Sequence, residues 1–304
     1  MTVSAILLPR NLRGAIQSML RKILLSCLVF SLFVPLAANS QTTAPKLTAT
    51  QVVEKNVAAR GGLQAWKSVQ TMSWKGKMDA GSGDSAARSR SIALGKKAPG
   101  SRMEHADLAS SDSESAKQVQ LPFLMEAKRG HKSRVEIEFA GKTAVQVYDG
   151  SSGWMYRPYL NREDVEPFTP EQMKAESEKS DLDGYLLDYA AQGSKVESEG
   201  VEKVEDHDAY KLKVTQKNGQ VVYVWVDAQS FLDVKVSGSP RRMDGKMRNT
   251  FIYQRDFKTV QGVTVPYVLE TAVDGYRDTH KMLIETVSIN PKLDDALFTK
   301  AKVK

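Results

Sequence analysis

Between residues 70 and 290, most segments of the chain alternate apolar and polar side chains. Successive residues of a β-strand point to opposite faces, so this alternation predicts strands with one buried face. Asn218-Gly219 lies between two such segments and is typical of a tight hairpin turn. The clearest segments are TMSWKGKMDA, SRVEIEFAGKTAVQVYDG, AYKLKVTQKNGQVVYVWVD, FLDVKV, NTFIYQRDF, VTVPYVLETAV and HKMLIETVSI. Many strands joined by short turns predict an antiparallel sheet or barrel.

A helix is expected before the first strand. Thr48 and Gln51 have the spacing of a capping box, in which each side chain binds the backbone of the other. Gly61-Gly62 would end this helix, because glycine adopts the left-handed conformation at little cost. A short second helix is expected at residues 63–69.

Two later segments also depart from the strand pattern. Thr169-Pro170 predicts a helix start with proline at the first helical position, and we expect helix from there to residue 193. Residues 80–120 are rich in serine, glycine, alanine and charge, and we expect long loops around a weak strand. Neither segment contains a linker that would divide the domain.

The amino terminus has the three parts of a secretory signal peptide. Four basic residues precede an apolar run at residues 23–36, and Ala38-Asn39-Ser40 resembles a cleavage site. We therefore expect a signal peptide at residues 1–40 and one domain at residues 41–304. The basic residues are Arg10, Arg13, Arg21 and Lys22.

Charge and cysteine content narrow the functional classes. The formal net charge is +7, but four of the 43 Lys and Arg residues and none of the 36 acids lie in residues 1–40, so 39 − 36 leaves +3. This balance argues against nucleic-acid binding. The sole cysteine, Cys27, lies in the expected signal peptide, which leaves the mature chain without a disulfide or thiol nucleophile.

Motifs that resemble catalytic or phosphate-binding loops are weak. Gly141-Lys142-Thr143 has the ending of a phosphate loop, but position 136 is glutamate and a strand follows. Residues 150–153 (GSSG) approach a nucleophile elbow, yet strand-like sequence lies on both sides. The carboxylates of Glu136 and Glu138 share the polar strand face with Arg134, so a solvated surface is favoured over an acid–base pair.

Metal, cofactor and surface-charge signals are equally limited. The four histidines lack the spacing of metal ligands, and we expect neither a metal nor a cofactor. Residues 241–248 form a basic loop with one acid, Asp244. If this loop is functional, anionic lipid headgroups are a better partner than nucleic acid.

Large apolar side chains recur on alternating positions of three strands. Aromatic and methionine side chains are adaptable, and a barrel that contains them can hold an apolar ligand beneath helices. We hypothesise that seven of these residues line a ligand cavity. They are Met72, Trp74, Met78, Trp154, Tyr156, Tyr223 and Trp225.

The segment VQVYDGSSGWMYRP resembles a hairpin of the LolA-like periplasmic carriers that sort outer-membrane lipoproteins. The turn is Asp149-Gly150, followed by Trp154, Tyr156 and Pro158. Other similar segments, in the same order, are AARGGLQAWKSVQTMSWKGKM, the strand with Arg134 and Glu136, DAYKLKVTQKNGQVVYVWVD and the ending NPKLDDALF. The resemblance covers roughly residues 47–299.

The resemblance implies a mainly β fold with α-helices: an incomplete, half-open antiparallel barrel covered by helices. It further implies a non-catalytic periplasmic monomer that binds acyl chains of lipoproteins or another lipid. Membrane donor and acceptor proteins and transient membrane contact follow from that role. Three alternatives remain open at this point. The first is a sensor of envelope lipids or stress that binds a partner protein, and the second is a secreted hydrolase using Asp149 or the Glu136/Glu138 pair. The third is a structural envelope protein that carries no ligand.

Overall fold

A computed structural model describes residues 44–79, 119–158, 162–179 and 181–300. These residues belong to one compact unit, Ala44–Lys304. The expected signal peptide at residues 1–40 and nearly all of the expected loop region at residues 80–120 lie outside the described part of the chain.

The described residues form a single antiparallel sheet of 13 strands. Its strand order is β6-β5-β4-β3-β2-β1-β13-β12-β11-β10-β9-β8-β7, so two meanders meet where β1 pairs with β13. Strands β6 and β7 are the two ends of this order, and the sheet is not closed. The predicted half-open antiparallel architecture is therefore confirmed. The strands are β1 (Thr71–Asp79), β2 (Gln120–Lys128), β3 (Lys132–Phe139), β4 (Lys142–Tyr148), β5 (Gly153–Arg157), β6 (Arg162–Pro167), β7 (Lys195–Val204), β8 (His207–Thr215), β9 (Val221–Asp227), β10 (Asp233–Met243), β11 (Lys246–Val260), β12 (Val263–Val273) and β13 (His280–Ile289).

In the described ranges, three α-helices accompany the sheet: α1 (Ala49–Ala59), α2 (Leu63–Ser68) and α3 (Pro170–Ser177). The capping box predicted at Thr48 is present, since the Gln51 N–H donates to Thr48 Oγ1 at 3.2 Å and the Thr48 N–H donates to Gln51 Oε1 at 2.9 Å. Thr169 caps α3 in the same way. Among the described residues, no helix has both the length and the apolar character that crossing a membrane requires.

The expectation of helix up to residue 193 is wrong. Helix α3 ends at Ser177, and residues 182–193 form consecutive hydrogen-bonded turns instead. Gly184 and Asp188 have φ values of +75° and +50°, which interrupt a right-handed helix. We call residues 181–193 the bridging segment, because Leu186 packs into one core cluster and Leu187 into the other.

Three strands were not predicted from the alternation. β2 begins at Gln120, directly after the segment expected to form loops, and β6 is a short strand at one end of the sheet. β7 is the opposite end strand, and nearly all of its side chains are exposed. Without a buried face, an end strand lacks the apolar period that identifies a strand.

All three helices pack on one face of the sheet, which we call the helix-bearing face. Val52 and Val53 of α1 lie in a core cluster with the inward residues of β8, β9 and β10. Trp66 of α2 lies in a second cluster with residues of β1, β2, β12 and β13. Met173 of α3 packs on a smaller cluster that includes Met155.

The carboxyl-terminal segment lies against the other face, which we call the opposite face. A 3-10 helix, Asp295–Phe298, follows β13, and the Arg134 guanidinium donates to the carbonyl oxygen of Leu297 at 3.2 Å. Phe298 is only 1% exposed. Asp295 forms ion pairs with Lys128 and Lys132 at 3.0 and 2.9 Å. Residues 295–298 thus connect β2 and β3 on the opposite face of the sheet.

Gly76 allows β1 and β13 to approach at a β-bulge between Lys75 and Gly76. A Cβ atom at this position would lie 2.0 Å from the carbonyl oxygen of Leu283. We predict that Gly76→Ala lowers the free energy of unfolding by about 1–3 kcal/mol, because the backbone must move apart. Urea denaturation followed by circular dichroism measures this change.

Gly238→Ala in β10 is the matched control. A Cβ atom there would lie 3.4 Å from the Thr250 side chain, and the backbone is extended, so this variant should be neutral or slightly stabilising. Equal destabilisation by the two substitutions would contradict the role assigned to Gly76.

Candidate ligand-binding site

A band of apolar side chains crosses the middle strands on the helix-bearing face. Direct partners in an antiparallel sheet share a face. Trp74 pairs with Met125, and Met78 pairs with Met282, which in turn pairs with Leu269. We call seven partly buried residues of the second core cluster the apolar floor. They are Trp74, Met78, Met125, Ile137, Tyr267, Leu269 and Met282.

The helices of the described residues cover this band at one end only. Met72, at the start of β1, is 1% exposed beneath Trp66 and Leu187 of the same cluster. Trp74 and Met78, further along the strand, are only half-buried. The apolar surface therefore continues outward from the core as a partly exposed strip, which can receive an apolar chain.

A depression of about 680 Å³ lies at the edge of the sheet where β2 begins, β3 ends and β4 begins. It is lined by residues 119–122 and 138–143. Leu121 belongs to this lining and is also the direct cross-strand partner of Met78. The apolar floor therefore reaches the depression through neighbouring side chains.

Trp154 and Tyr156 lie on the opposite face. Met155 shares the helix-bearing face, since it pairs with Gln146 of β4 and packs beneath α3. Alternation along β5 then places its two neighbours on the other side, where they pair with Val147 and Val145. The hairpin aromatics are thus separated from Trp74 by the sheet.

Tyr223 and Trp225 also lie on the opposite face. Val224, between them, packs beneath α1. Trp225 is 4% exposed and donates from Nε1 to Glu202 Oε2 at 2.9 Å. Lys235 Nζ lies 4.4 Å from the centre of the Trp225 ring, and burial lowers the pKa of this lysine although Glu202 opposes the effect. Tyr223 and Trp225 therefore belong to a separate packed cluster, in which Lys235 lies over the Trp225 ring.

Of the seven residues hypothesised to line a cavity, the structure brings together Met72, Trp74 and Met78. The other members of the apolar floor were missed. Met125 lies on a strand that the sequence pattern did not reveal, and Leu269 and Met282 lie on predicted strands whose partners were unknown. Only the strand register, including the bulge at Gly76, aligns these side chains.

Asp149 and Gly150 shape the turn between β4 and β5. Asp149 Oδ1 accepts hydrogen bonds from the Ser151 and Ser152 backbone at 2.8 and 2.7 Å, and Gly150 has a φ of +99°. Burial acts to raise the pKa of Asp149, but the hydrogen bonds from Ser152 and Ser151 outweigh it, so the pKa lies below its ordinary value. The carboxylate has a structural role in this turn.

The other candidate catalytic groups lie in an ion pair, on the exposed surface or in a turn. Arg134 Nε donates to Glu136 Oε1 at 2.9 Å, and Glu138 is exposed. Residues 140–141 form the tight turn between β3 and β4, so the GKT motif opens a strand rather than a helix. Within the described part of the chain, no three His, Cys, Asp or Glu side chains are grouped to hold a metal ion.

Asp183 connects the bridging segment to the β2–β3 turn. Arg129 donates from Nη1 and Nη2 to the two carboxylate oxygens, each at 2.8 Å. Arg129 also donates to the carbonyl oxygens of Val69 at 2.6 Å and Trp66 at 2.7 Å. The hydrogen bonds to Asp183 raise the pKa of the guanidinium. One arginine thus joins α2, the sheet and the bridging segment.

Arg60 provides a second connection at the end of α1. Its Nη1 donates to the Asp183 carbonyl oxygen at 2.9 Å, and its guanidinium lies 4.3 Å from the Trp66 ring centre. Burial lowers the pKa of Arg60, while Asp233 and Asp183 oppose that shift. The covered end of the apolar floor is therefore fixed by two arginines that share one aspartate residue.

Comparison with known proteins identifies the fold. No protein-family profile matches this chain, and no curated protein matches it. A LolA superfamily protein from Nitrosomonas europaea aligns with a TM-score of 0.50 at 15% identity, over 84% of this chain and 99% of its own. A DUF1329 family protein from Desulfovibrio piger aligns with a TM-score of 0.50 at 13% identity, over 84% and 99%. The resemblance inferred from the sequence is confirmed at the level of the fold, which is LolA-like.

We predict that Asp183→Ala lowers the free energy of unfolding by about 2 kcal/mol, because it leaves the largely buried Arg129 guanidinium without its carboxylate. Thermal and urea denaturation measure the change. Glu285→Ala is the control, since it breaks an exposed pair with Lys77 at 3.4 Å and should cost less than about 1 kcal/mol. Similar losses for the two variants would show that the Asp183 contacts add nothing beyond a surface ion pair.

Proposed function

We propose that this LolA-like sheet holds the acyl chain of an amphiphile against the apolar floor and acts as a carrier without catalysis. The observation that supports the proposal is the row formed by Leu121, Met78, Met282 and Leu269, in which each residue is the direct partner of the next. The row crosses four strands and remains only partly covered. A continuous apolar strip of this kind suits a long chain better than a compact ligand.

The composition of the apolar floor supports an acyl chain in particular. Three of its seven members are methionines, Met78, Met125 and Met282. Methionine side chains are flexible and polarisable, so they adapt to a chain that bends in many ways. Each methylene that leaves water contributes about 0.8 kcal/mol, and a few methylenes therefore suffice for useful affinity.

The proposed lining residues are the seven of the apolar floor, which include Trp74 and Met78 from the sequence hypothesis. Met72 is 1% exposed and supports the floor at its covered end. Trp154, Tyr156, Tyr223 and Trp225 are not part of this proposal, because they lie on the opposite face. A non-catalytic role is supported by the contacts of the candidate carboxylates, since Asp149 caps a turn and Glu136 is paired with Arg134.

The physiological role that we propose is transport of lipoprotein acyl chains or another lipid across the periplasm to the outer membrane. The support is the fold shared with the LolA superfamily protein, together with the export signal expected from the sequence. Such a carrier takes its cargo from a donor and gives it to an acceptor, and it needs no cofactor for either step. We propose that the carrier acts as a monomer.

Native mass spectrometry with lipid extraction tests the proposal on protein purified from the envelope without detergent. We expect a co-purifying lipid or acylated peptide on the wild-type protein. Met78→Glu should reduce this occupancy at least about tenfold, because the chain would then lie against a charge.

Tyr156→Glu is the matched control, since it adds the same charge to a half-buried side chain on the opposite face. It should retain the lipid. A wild-type protein that carries no lipid and also refuses added lipid would contradict the proposal, and so would equal loss in the two variants. Circular dichroism establishes that each variant is folded.

A further inference from the structure

The hairpin between β10 and β11 extends beyond its neighbours in the sheet. Strand β9 pairs with β10 only as far as Val236, and β12 pairs with β11 only from Thr250 onward. The two strands nevertheless continue to pair with each other up to Met243 and Lys246. We call residues 241–248 the basic ribbon; both of its edges lack a strand partner within the described residues.

The ribbon carries a concentrated positive charge. Its eight residues, RRMDGKMR, include four cations and one acid, so its net charge of +3 equals that of residues 41–304 as a whole. Arg241, Arg242 and Lys246 are exposed and form no ion pair with any described residue. The acid, Asp244, accepts a hydrogen bond from the Tyr276 hydroxyl and forms no ion pair with these cations in the described part of the chain.

The ribbon also exposes apolar surface at its tip. Met247 is 58% exposed, the most of any large hydrophobic residue in the described part of the chain. Arg242 is the direct partner of Met247, and Met243 is the partner of Lys246. Each face of the ribbon therefore combines a methionine with a long cationic side chain, whose stem can lie along apolar material while its charge stays in water.

The turn that presents this tip is a tight one. Asp244 and Gly245 have φ values of +50° and +75°, the pattern of a tight two-residue hairpin turn. Behind it, the half-buried Arg248 lies 6.0 Å from the centre of the Tyr276 ring, on the turn between β12 and β13. Tyr276 therefore contacts the ribbon both at its base, through Arg248, and at its turn, through Asp244.

We propose that the basic ribbon docks this protein on a membrane surface that contains anionic phospholipids. Cations clustered near such a surface are attracted by its negative potential, and an exposed methionine can enter the interfacial layer. A nucleic acid would need a wider basic surface, because its phosphates extend along the whole strand. An acidic protein would be attracted by the cations, but it gives no role to the exposed methionine at the tip. This inference rests on the ribbon alone and is independent of the ligand of the apolar floor.

Vesicle sedimentation tests the proposal, using equal parts of phosphatidylglycerol and phosphatidylcholine against phosphatidylcholine alone. We expect binding to the anionic vesicles only, weakening as salt screens the charges. A cation near such a surface strengthens binding about fivefold, so the triple variant Arg241→Glu, Arg242→Glu, Lys246→Glu should lose at least about 100-fold. Arg248 is left unchanged because it packs at the base of the ribbon.

The control is Lys195→Glu, Lys217→Glu, Lys292→Glu. These three lysines are exposed, and the net charge changes by the same amount. This control should keep most of the binding, because the lysines lie elsewhere on the surface. Equal loss in the two triple variants would overturn the proposal by showing that only net charge matters, and equal binding to both kinds of vesicle would overturn it as well.

A fluorescent label distinguishes docking through the tip from general attraction. In a Cys27→Ser background the chain has no other cysteine, so Met247→Cys can carry an environment-sensitive dye. We expect its emission to shift to the blue on anionic vesicles, whereas a dye at Lys217→Cys should not shift. A shift at position 217 without one at 247 would contradict docking through the ribbon. Neither outcome depends on whether a lipid occupies the apolar floor.

Discussion

The structure depends on one constraint: a broad antiparallel sheet has an apolar face that must be covered, and here the sheet does not close on itself to cover it. Helix α1 covers β8 to β10, α3 covers β4 and β5, and α2 covers the start of β1. The strip between them keeps its apolar side chains, and none of the three described helices lies above its far end. The same constraint that stabilises the fold therefore leaves a surface suited to an apolar chain.

The bridging segment determines where this cover ends. Leu186 and Leu187 are fully buried in two different core clusters, so the segment joins the halves of the sheet. Asp183 holds it in place through Arg129 and Arg60, which reach it from the β2–β3 turn and from α1. The contacts of Asp183 with Arg129 and Arg60 therefore lie where the covered part of the helix-bearing face meets its uncovered part.

Much of the fold was predictable from the sequence, because alternation and turn chemistry are local. The capping box at Thr48 and the hairpins at Asp149-Gly150 and Asn218-Gly219 are each determined by a few neighbouring residues. The binding surface was less predictable, because it depends on which strands pair and in which register. Trp154 and Trp225 have the same local pattern as Trp74, yet the pairing places them on the other face. The bridging segment was missed for a related reason, since its turns depend on contacts with distant arginines.

The most direct test of the account is quenching of tryptophan fluorescence by a lipid with a brominated acyl chain, compared in Trp74→Phe and Trp154→Phe. Trp66 and Trp225 are buried in both variants, so the comparison reports the two half-buried tryptophans on opposite faces. The account predicts strong quenching in Trp154→Phe, where Trp74 remains, and little in Trp74→Phe. Bound lipid that quenches Trp154 instead, or that quenches the two variants equally, would contradict the placement of the acyl chain on the apolar floor.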